Sequence, residues 1–361
     1  MSYRDEADAL DAEILRLIRR WHETGISPSE QEFDDLATRI AAHQLRYCAA
    51  YARYCASFGI TADAPPAHWW EIPPMPAAAF KETTLCTFPP ESAALIFETS
   101  GTTRGRGGLH FMERDELYDA ALLAAFERFM LPDGARLHYL LLVPDPRERP
   151  HSSLGYMMAA VARTYGAGTT EWYLHGDEID IDGFLRDARA AIAGGTPVCI
   201  ATTAFALVHL LDALEDRAVT LRLPSGSRIM ETGGFKGRSR TVSRDDLYAR
   251  TAAAFGIPES AIVAEYGMTE LTSQYYDDEQ RIKRSPPWLR ARIVGADGRR
   301  VPPGEIGMLV HVDLANRSSC LAVLTEDLAY ERDGGFVLIG RESSAPLRGC
   351  SLDAEELRLR R

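Results

Sequence analysis

The sequence predicts an α/β protein whose core is a largely parallel sheet flanked by helices. From residue 93 onward, short apolar strands alternate with turns rich in Gly, Ser and Thr and with amphipathic helices, which is the pattern of parallel sheets. The predicted strands are Ala93–Glu98, Tyr139–Pro144, Pro197–Ala201, Arg228–Glu231 and Ala261–Glu265. Ligands of such sheets bind beyond the carboxyl ends of the strands, and the unusual loops of this chain follow those ends.

The segments on either side of this core have a different character. Residues 1–60 are predicted to be helical, with a capping box at Ser27–Glu30 and an apolar stripe behind it. The Pro-rich residues 61–80 are predicted to lay Trp69, Trp70 and Phe80 on the following domain. After residue 285, alternating apolar residues predict a small antiparallel sheet or barrel and then a short charged helix. The expected domains are a helical region with connector at 1–90, an α/β core at 91–284, a β subdomain at 285–340 and a tail at 341–361.

The composition disfavours several classes of function. The chain has 361 residues, with 40 basic and 52 acidic ones and a formal net charge of −12, so nucleic acid is not an expected partner. No apolar stretch reaches the ~18 residues that a membrane span requires, and the acidic N-terminus lacks the apolar region of a secretory signal. The six cysteines form no Cys-x-x-Cys pair and the nine histidines no cluster, so we expect free thiols, no zinc site and a cytoplasmic protein.

The first segment with chemical character directly follows the predicted strand Ala93–Glu98. Its glycines allow backbone N–H groups to converge on an anion, its hydroxyls add donors, and its two arginines can pair with phosphate oxygens. The segment is therefore predicted to bind phosphate through Ser100, Gly101, Thr102, Thr103, Arg104 and Arg106.

Two further segments carry carboxylates at predicted strand ends. In Glu265-Tyr266-Gly267-Met268-Thr269-Glu270, an aromatic ring can lie against a nucleobase, a glycine allows close approach, and a carboxylate can hold Mg²⁺. In Leu324-Thr325-Glu326-Asp327, a carboxylate suits two vicinal ribose hydroxyls, and Gly340-Arg341 follows it in the sequence. Each segment alone is a weak signal, since many turns after strands contain such residues.

Together, in this order and spacing, the three segments resemble the adenylate-forming superfamily, which includes acyl-CoA ligases and the adenylation domains of peptide synthetases. The resemblance covers about residues 70–350 and implies an adenylate-forming fold with a truncated C-terminal lid. It implies that the first loop holds the phosphates of ATP and that Glu270 binds Mg²⁺. The other residues predicted to contact the nucleotide are Gly233, Gly234, Tyr266, Gly267, Thr269, Asp327 and Arg341.

Within the superfamily, the match is closest to the acyl-protein synthetases, the long-chain-fatty-acid ligases of bacterial fatty-acid reductase complexes. The segments that carry this match are PPMPAAAFKE, SGTTRGRG, SSLGYM, TGGFKGRSR, EYGMTELTSQYYD and RGCSLDAEEL. In that family ATP activates a fatty acid as acyl-adenylate, and the acyl group passes to a cysteine near the C-terminus and on to a partner reductase. The matching residue is Cys350, which precedes a capped helix and lies near Arg348. Both features favour its thiolate, whereas Asp353, Glu355 and Glu356 oppose it.

The sequence departs from the wider superfamily in two places. Arg104 and Arg106 take the places where its phosphate loop usually carries a glycine and a lysine. The chain also ends 20 residues after Arg341, without the usual swivelling domain and its adenylation lysine. The cation that assists adenylation must therefore come from elsewhere or be dispensable.

The chain has only three lysines, and one of them lies at the predicted ligand edge of the sheet. Lys236 follows Gly233-Gly234, where an ammonium can neutralise charge that develops at the α-phosphate. A surface lysine on a glycine-rich loop is the equal alternative. We expect Lys81 to form a structural ion pair and Lys283 to lie at the solvated surface.

The leading interpretation is an enzyme that activates a carboxylic acid, with a fatty acid as the expected substrate, and transfers the acyl group to Cys350 and then to a reductase or carrier protein. A second interpretation is an acyl- or aryl-CoA or carrier-protein ligase of the phenylacetate-CoA ligase type, in which Cys350 is incidental. A third is a nucleotide-binding scaffold without catalysis. The missing lid disfavours the second, and the retained Glu270, Asp327 and Arg341 disfavour the third.

Overall fold

A computed structural model describes residues 2–99, 107–233 and 243–341. The α-helices of these residues are α1 (Tyr3–Thr24), α2 (Glu30–Tyr47), α3 (Ala49–Ala56), α4 (Ala79–Glu82), α5 (Asp115–Met130), α6 (Ser153–Tyr165), α7 (Ile181–Gly194), α8 (Ala204–Asp216) and α9 (Arg244–Phe255). The strands are β1 (Met75–Pro76), β2 (Leu95–Glu98), β3 (Leu109–Met112), β4 (Leu137–Pro144), β5 (Gly166–His175), β6 (Glu178–Ile179), β7 (Val198–Thr203), β8 (Arg228–Thr232), β9 (Ile262–Tyr266), β10 (Tyr275–Asp277), β11 (Lys283–Arg284), β12 (Leu289–Val294), β13 (Gly307–Asp313), β14 (Ala322–Arg332) and β15 (Gly335–Arg341).

One compact unit of the chain is the α/β unit, formed by the described parts of residues 126–267 and 276–281. Its sheet has the strand order β9-β8-β7-β4-β5-β6, and each neighbouring pair is parallel except β5 with β6. This confirms the predicted α/β fold with a parallel sheet. Apolar residues of β4, β7 and β8 are buried together with those of α7, α8 and α9. Each Leu or Ile buried in this way contributes about 1.5–3 kcal/mol to folding.

The other unit is formed by the described parts of residues 2–125, 268–275 and 282–341. Its main sheet has the order β12-β13-β14-β15-β11, and these neighbours are antiparallel, while β1 runs parallel to β14. The predicted small antiparallel sheet is thus confirmed. Within the described ranges, no helix combines the length and the apolar character that crossing a membrane requires.

The helices at the start of the chain form as predicted, but the capping box of α2 differs. The Ser29 hydroxyl accepts the Glu32 N–H at 3.1 Å, and the Glu32 carboxylate accepts the Ser29 N–H at 2.7 Å. The predicted box at Ser27–Glu30 is therefore wrong by two residues, because Pro28 precedes the cap instead of opening the helix. The predicted apolar stripe is buried at Phe33, Leu36, Ile40, Tyr51 and Cys55, while Tyr47 is only partly buried.

The Pro-rich connection reaches the next segment through one of its three predicted aromatic rings. Phe80 is buried and meets the edge of the His110 ring on β3, with 5.7 Å between centroids. Trp69 packs instead on Phe33 of α2, and Trp70 remains 49% exposed. The expectation that all three rings lie on the following domain is therefore wrong for the two tryptophans.

A buried arginine joins α1 to the chain that follows β13. Arg317 has no exposed surface and donates to both carboxylate oxygens of Asp11, at 2.7 and 2.9 Å, and to Glu113 at 2.7 Å. Planar guanidinium and carboxylate groups match each other in such two-point contacts. Because removal of one partner leaves an uncompensated buried charge, we expect it to cost about 3–5 kcal/mol.

The strand before the glycine-rich loop does not belong to the parallel sheet. β2 pairs with β3 in a separate two-stranded antiparallel sheet, in which Glu98 lies opposite Leu109. The expectation that this strand joins the parallel core is wrong, because the loop leads into a second strand and not into a crossover helix. The predicted phosphate loop thus connects the two strands of a hairpin.

Candidate active site

Part of the predicted site lies outside the described residues. That part comprises Ser100, Gly101, Thr102, Thr103, Arg104, Arg106, Gly234, Lys236 and Cys350. The structure describes Gly233, Tyr266, Gly267, Thr269, Glu270 and Asp327, together with the backbone of Arg341. The described parts of the predicted site are the base of the phosphate loop, the ends of β8 and β9, and the strands β14 and β15. The ends of β8 and β9 belong to the α/β unit and the other parts to the second unit, so each is described by itself.

The predicted phosphate loop is closed at its base by two close backbone approaches. The Thr99 N–H donates to the Gly108 carbonyl at 2.9 Å, and the Gly108 N–H donates to Thr99 Oγ1 at 2.7 Å. A Cβ at Gly107 would lie 2.5 Å from the Thr99 carbonyl oxygen, and one at Gly108 would lie 3.0 Å from the Phe80 carbonyl carbon. Glycine is therefore required at Gly107, where only a residue without a side chain fits.

In the α/β unit, two parallel strands end side by side at the predicted nucleotide edge. Thr232 on β8 lies opposite Glu265 on β9, and the buried Thr232 hydroxyl donates to the buried Glu265 carboxylate. Gly233 follows with a φ of 73°, in the left-handed region that favours glycine. Tyr266 is the last residue of β9. Gly233 and Tyr266 thus lie at the carboxyl ends of adjacent strands, where parallel sheets bind ligands.

A network of polar side chains from α9 supports the end of β8. The Tyr248 hydroxyl donates to Glu231 Oε1 at 3.0 Å, and Arg244 donates to the Tyr248 oxygen at 3.1 Å and to the Asp277 carboxylate. Burial raises the pKa of Tyr248 well above its usual range, so the phenol stays protonated and remains a donor. The network fixes the Glu231 side chain two residues before Gly233.

In the unit that contains the antiparallel sheet, the Thr269–Glu270 turn is held through its backbone carbonyls. His110 Nδ1 lies 2.7 Å from the Thr269 carbonyl oxygen, and Asn316 Nδ2 donates to the Glu270 carbonyl at 2.9 Å. The Glu270 residue is 7% exposed. His110 and Asn316 were not predicted from the sequence, because neither lies in a recognisable motif and the fold alone brings them to this turn.

Asp313 holds the residues that follow this turn. Its carboxylate accepts the Thr272 N–H and the Ser273 hydroxyl, both at 2.9 Å, and the Ala315 N–H at 3.1 Å. Burial raises the pKa of Asp313 to about 6, although these donors favour the ionised form. The segment that carries Glu270 is thus fixed on its carboxyl-terminal side as well.

The two residues predicted to hold the ribose lie next to each other on neighbouring strands. Asp327 on β14 and Arg341 on β15 are direct partners in the antiparallel register. Asp327 lies within β14 and not at a strand end as predicted, because β14 continues to Arg332. The register shifts between Leu328 and Ala329, directly after Asp327. Irregularities of this kind occur often beside active sites, where they redirect a side chain.

Glu270 is the carboxylate predicted to bind Mg²⁺. Among the described residues, no group of three or more His, Cys, Asp or Glu side chains is arranged to hold a metal ion. In nucleotide sites Mg²⁺ binds through one or two carboxylates, substrate phosphates and water. The single carboxylate of Glu270 fits that mode of binding, which needs no cage of protein ligands.

The cysteines of the described residues have the packing role predicted for them. They are free, with Cys48, Cys55, Cys199 and Cys320 buried and Cys86 partly buried. Burial raises the pKa of Cys55 and of Cys199 to about 12, so both stay thiols at neutral pH.

The two described lysines both differ from expectation. Lys283 is only 3% exposed, because it lies on β11 where that strand pairs with β15. Lys81 on α4 is exposed and forms no ion pair with the residues that the structure describes.

The chain is similar to proteins of known family and fold. A family model described as acyl-protein synthetase, LuxE, matches residues 26–357. The long-chain-fatty-acid–luciferin-component ligase of Aliivibrio fischeri is 23% identical over 298 residues, which cover 78% of this chain and 77% of that protein. The ligase of the same name from Vibrio harveyi is 22% identical over 346 residues, which cover 91% of this chain and 89% of that protein. A crystal structure of 2-hydroxyisobutyryl-CoA ligase with 2-HIB-AMP and CoA matches with a TM-score of 0.63 and 16% identity, over 86% of this chain and 68% of that one.

The structural match defines the class: this chain has the fold of adenylate-forming enzymes. Because the family model spans most of the chain, the relationship can be stated more narrowly. The chain belongs to the acyl-protein synthetase family and is a ligase. Family and fold together support ATP-dependent activation of an acid.

Proposed function

We propose that this protein activates a carboxylic acid with ATP and then carries the acyl group as a thioester on Cys350. In the first step a carboxylate oxygen attacks the α-phosphorus, the new C–O–P linkage forms, and pyrophosphate leaves. In the second step the Cys350 sulfur attacks the acyl carbon, the C–O bond breaks, AMP leaves, and the thiol proton passes to solvent. A nucleophile of a partner protein then attacks the thioester carbon, the C–S bond breaks, and the Cys350 thiol is regenerated as the nucleophile gives up its proton.

The observation that carries the proposal is the register of Asp327 opposite Arg341. Two residues selected from the sequence for one ribose occupy adjacent positions on neighbouring strands. The family model spans both of them. Vicinal hydroxyls suit a carboxylate acceptor, and a guanidinium supplies donors for the remaining oxygens.

The other roles follow from the chemistry of each residue. Ser100, Thr102, Thr103 and Arg106 are proposed to hold phosphates, and Tyr266 to border the adenine. Lys236 is proposed to neutralise the charge that develops at the α-phosphate. When bound, Mg²⁺ neutralises charge on phosphate oxygens, and Glu270 is the carboxylate proposed to hold it.

A second candidate function is a CoA ligase, in which the acyl group passes to the thiol of CoA. The observation that favours it is the structural match to 2-hydroxyisobutyryl-CoA ligase, whose crystal structure contains CoA. That match extends over 68% of the CoA ligase, and its 16% identity supports the fold alone.

The first experiment identifies the acid. A panel of aliphatic and aromatic carboxylates is tested for ATP–pyrophosphate exchange, which reports adenylation without any thiol acceptor. We expect exchange with one class of acid, and exchange with none of them would overturn the proposal.

The second experiment uses Cys350→Ser, with Cys86→Ser as a matched control at a partly buried thiol. Cys350→Ser should keep pyrophosphate exchange and lose the radiolabelled acyl group that neutral hydroxylamine releases from the wild type. Cys86→Ser should retain both. If Cys350→Ser turns over with CoA at the wild-type rate, the CoA-ligase function replaces the covalent one.

A further inference from the structure

A buried histidine lies between the predicted phosphate loop and the Thr269–Glu270 turn. His110 is on β3, two residues after Gly108, and has no exposed surface. Its Nδ1 lies 2.7 Å from the Thr269 carbonyl oxygen, and its Nε2 lies 3.0 Å from Asn316 Oδ1. The ring thus connects the strand that leaves the phosphate loop to the turn that carries Glu270.

Asn316 completes this contact on the adjacent carbonyl. Its Nδ2 donates to the Glu270 carbonyl and to the Cys320 carbonyl, both at 2.9 Å, and the residue is 1% exposed. Both amide hydrogens are therefore used, and Oδ1 is the atom that faces the His110 ring. Two consecutive carbonyls of the turn, those of Thr269 and Glu270, are thus each held by a buried side chain.

The number of protons on the ring determines what His110 can do. Burial lowers the pKa of His110 to about 4, so the ring carries one N–H at neutral pH. The shorter contact places that hydrogen on Nδ1, directed at Thr269. Nε2 faces Asn316 Oδ1 at 3.0 Å. The two contacts join β3 to the Thr269–Glu270 turn and to Asn316, which is the arrangement of a side chain that positions its neighbours.

We propose that His110 is a positioning residue for adenylation: it fixes the Thr269–Glu270 turn relative to the strand that leaves the phosphate loop. The inference rests on the proposed function, in which that loop holds the phosphates of ATP and Glu270 holds Mg²⁺. Thr99 and Gly108 close the base of the loop, so a shift of β3 changes the position of the loop base relative to the Thr269–Glu270 turn. A displacement of about 1 Å between such groups costs about 100-fold in rate.

The test compares three substitutions of His110. His110→Leu removes both ring nitrogens, His110→Asn places an amide nitrogen near the position of Nδ1, and His110→Gln places one near that of Nε2. Rates of adenylation are measured in single turnover with enzyme in excess over ATP, so the rate constant does not depend on the folded fraction. His43→Leu is the control, because His43 is equally buried and its Nδ1 faces Glu6 on α1 instead of the turn.

We expect His110→Leu to lower the single-turnover rate constant about 10- to 100-fold, with the KM for ATP in pyrophosphate exchange changed less than about threefold. His110→Asn should recover most of the rate constant and His110→Gln should not. His43→Leu should keep the wild-type rate constant. A His110→Leu rate constant equal to that of the wild type overturns the inference.

Two further outcomes also overturn the inference. In the first, His110→Asn is no faster than His110→Gln, a comparison that still decides the matter if His110→Leu does not fold. In the second, the whole loss appears in the KM for ATP. The proposed function fails by a different result, in which the wild-type enzyme shows no pyrophosphate exchange with any acid of the panel.

Discussion

Gly107 provides the sharpest structural test of the phosphate loop. Its Cβ position lies 2.5 Å from the Thr99 carbonyl oxygen, whereas ordinary contacts begin near 3.4 Å, so Gly107→Ala must displace backbone by about 0.9 Å. The Thr99 carbonyl cannot retreat freely, since the Thr99 N–H and Oγ1 are bonded to Gly108. Overpacking of this size costs about 1–3 kcal/mol, and weakening these two bonds adds about 1 kcal/mol.

The expected result for Gly107→Ala is a loss of about 2–4 kcal/mol in the free energy of unfolding in urea, with a raised KM for ATP in pyrophosphate exchange. Gly194→Ala is the control, because it ends α7 and its Cβ would meet only Thr196 Oγ1, at 3.5 Å. That change should leave stability within about 1 kcal/mol of the wild type. If Gly107→Ala unfolds at the same urea concentration as the wild type, the close approach does not constrain the loop.

Three further predictions concern charge. Glu270→Gln should lower pyrophosphate exchange about 100-fold, and wild-type exchange would remove this carboxylate from the mechanism. Lys236→Met should lower the single-turnover rate constant more than the affinity for ATP, whereas equal losses would make it a ground-state ligand. The raised pKa of Asp313, about 6, means that the native state holds a proton that the unfolded chain releases near pH 4. The free energy of unfolding should therefore fall by about 3 kcal/mol as the pH rises from about 4 to 6. In urea unfolding, Asp313→Asn should lack this dependence on pH.

The regular elements of the fold were predictable from local patterns. The strand Arg228–Thr232 was predictable from its short apolar run, and the helix Arg244–Phe255 from its capping residue Ser243. Both appear where expected. The strand Gly166–His175 and the helix Ile181–Gly194 were not predicted. The strand opens with Gly-Ala-Gly-Thr-Thr, which lacks an apolar run, so its pairing with β4 decides its conformation.

The candidate site was predictable only where its chemistry follows the chain. Asp327 and Arg341 are predictable because their segments resemble family motifs, and the register of β14 and β15 places them together. His110 and Asn316 contact each other although 206 positions separate them, and no local pattern encodes such a pair. The burial of Lys283 was not predicted, because the neighbouring charges in Gln-Arg-Ile-Lys-Arg indicate a solvent-exposed segment.

The buried pair of Asp11 with Arg317 has a consequence for synthesis of the chain. The two residues are 306 positions apart, so α1 leaves the ribosome long before its partner exists. At about 5–20 residues per second, the Asp11 carboxylate waits about 15–60 s for its guanidinium. During that interval α1 can contact α2, through pairs such as Glu6 with Arg46, but not Arg317, whereas the α/β unit lies between Asp11 and Arg317 and is already complete in sequence. We therefore expect the parallel sheet to form before α1 gains its buried ion pair, so that α1 stays accessible to chaperones and proteases during the interval.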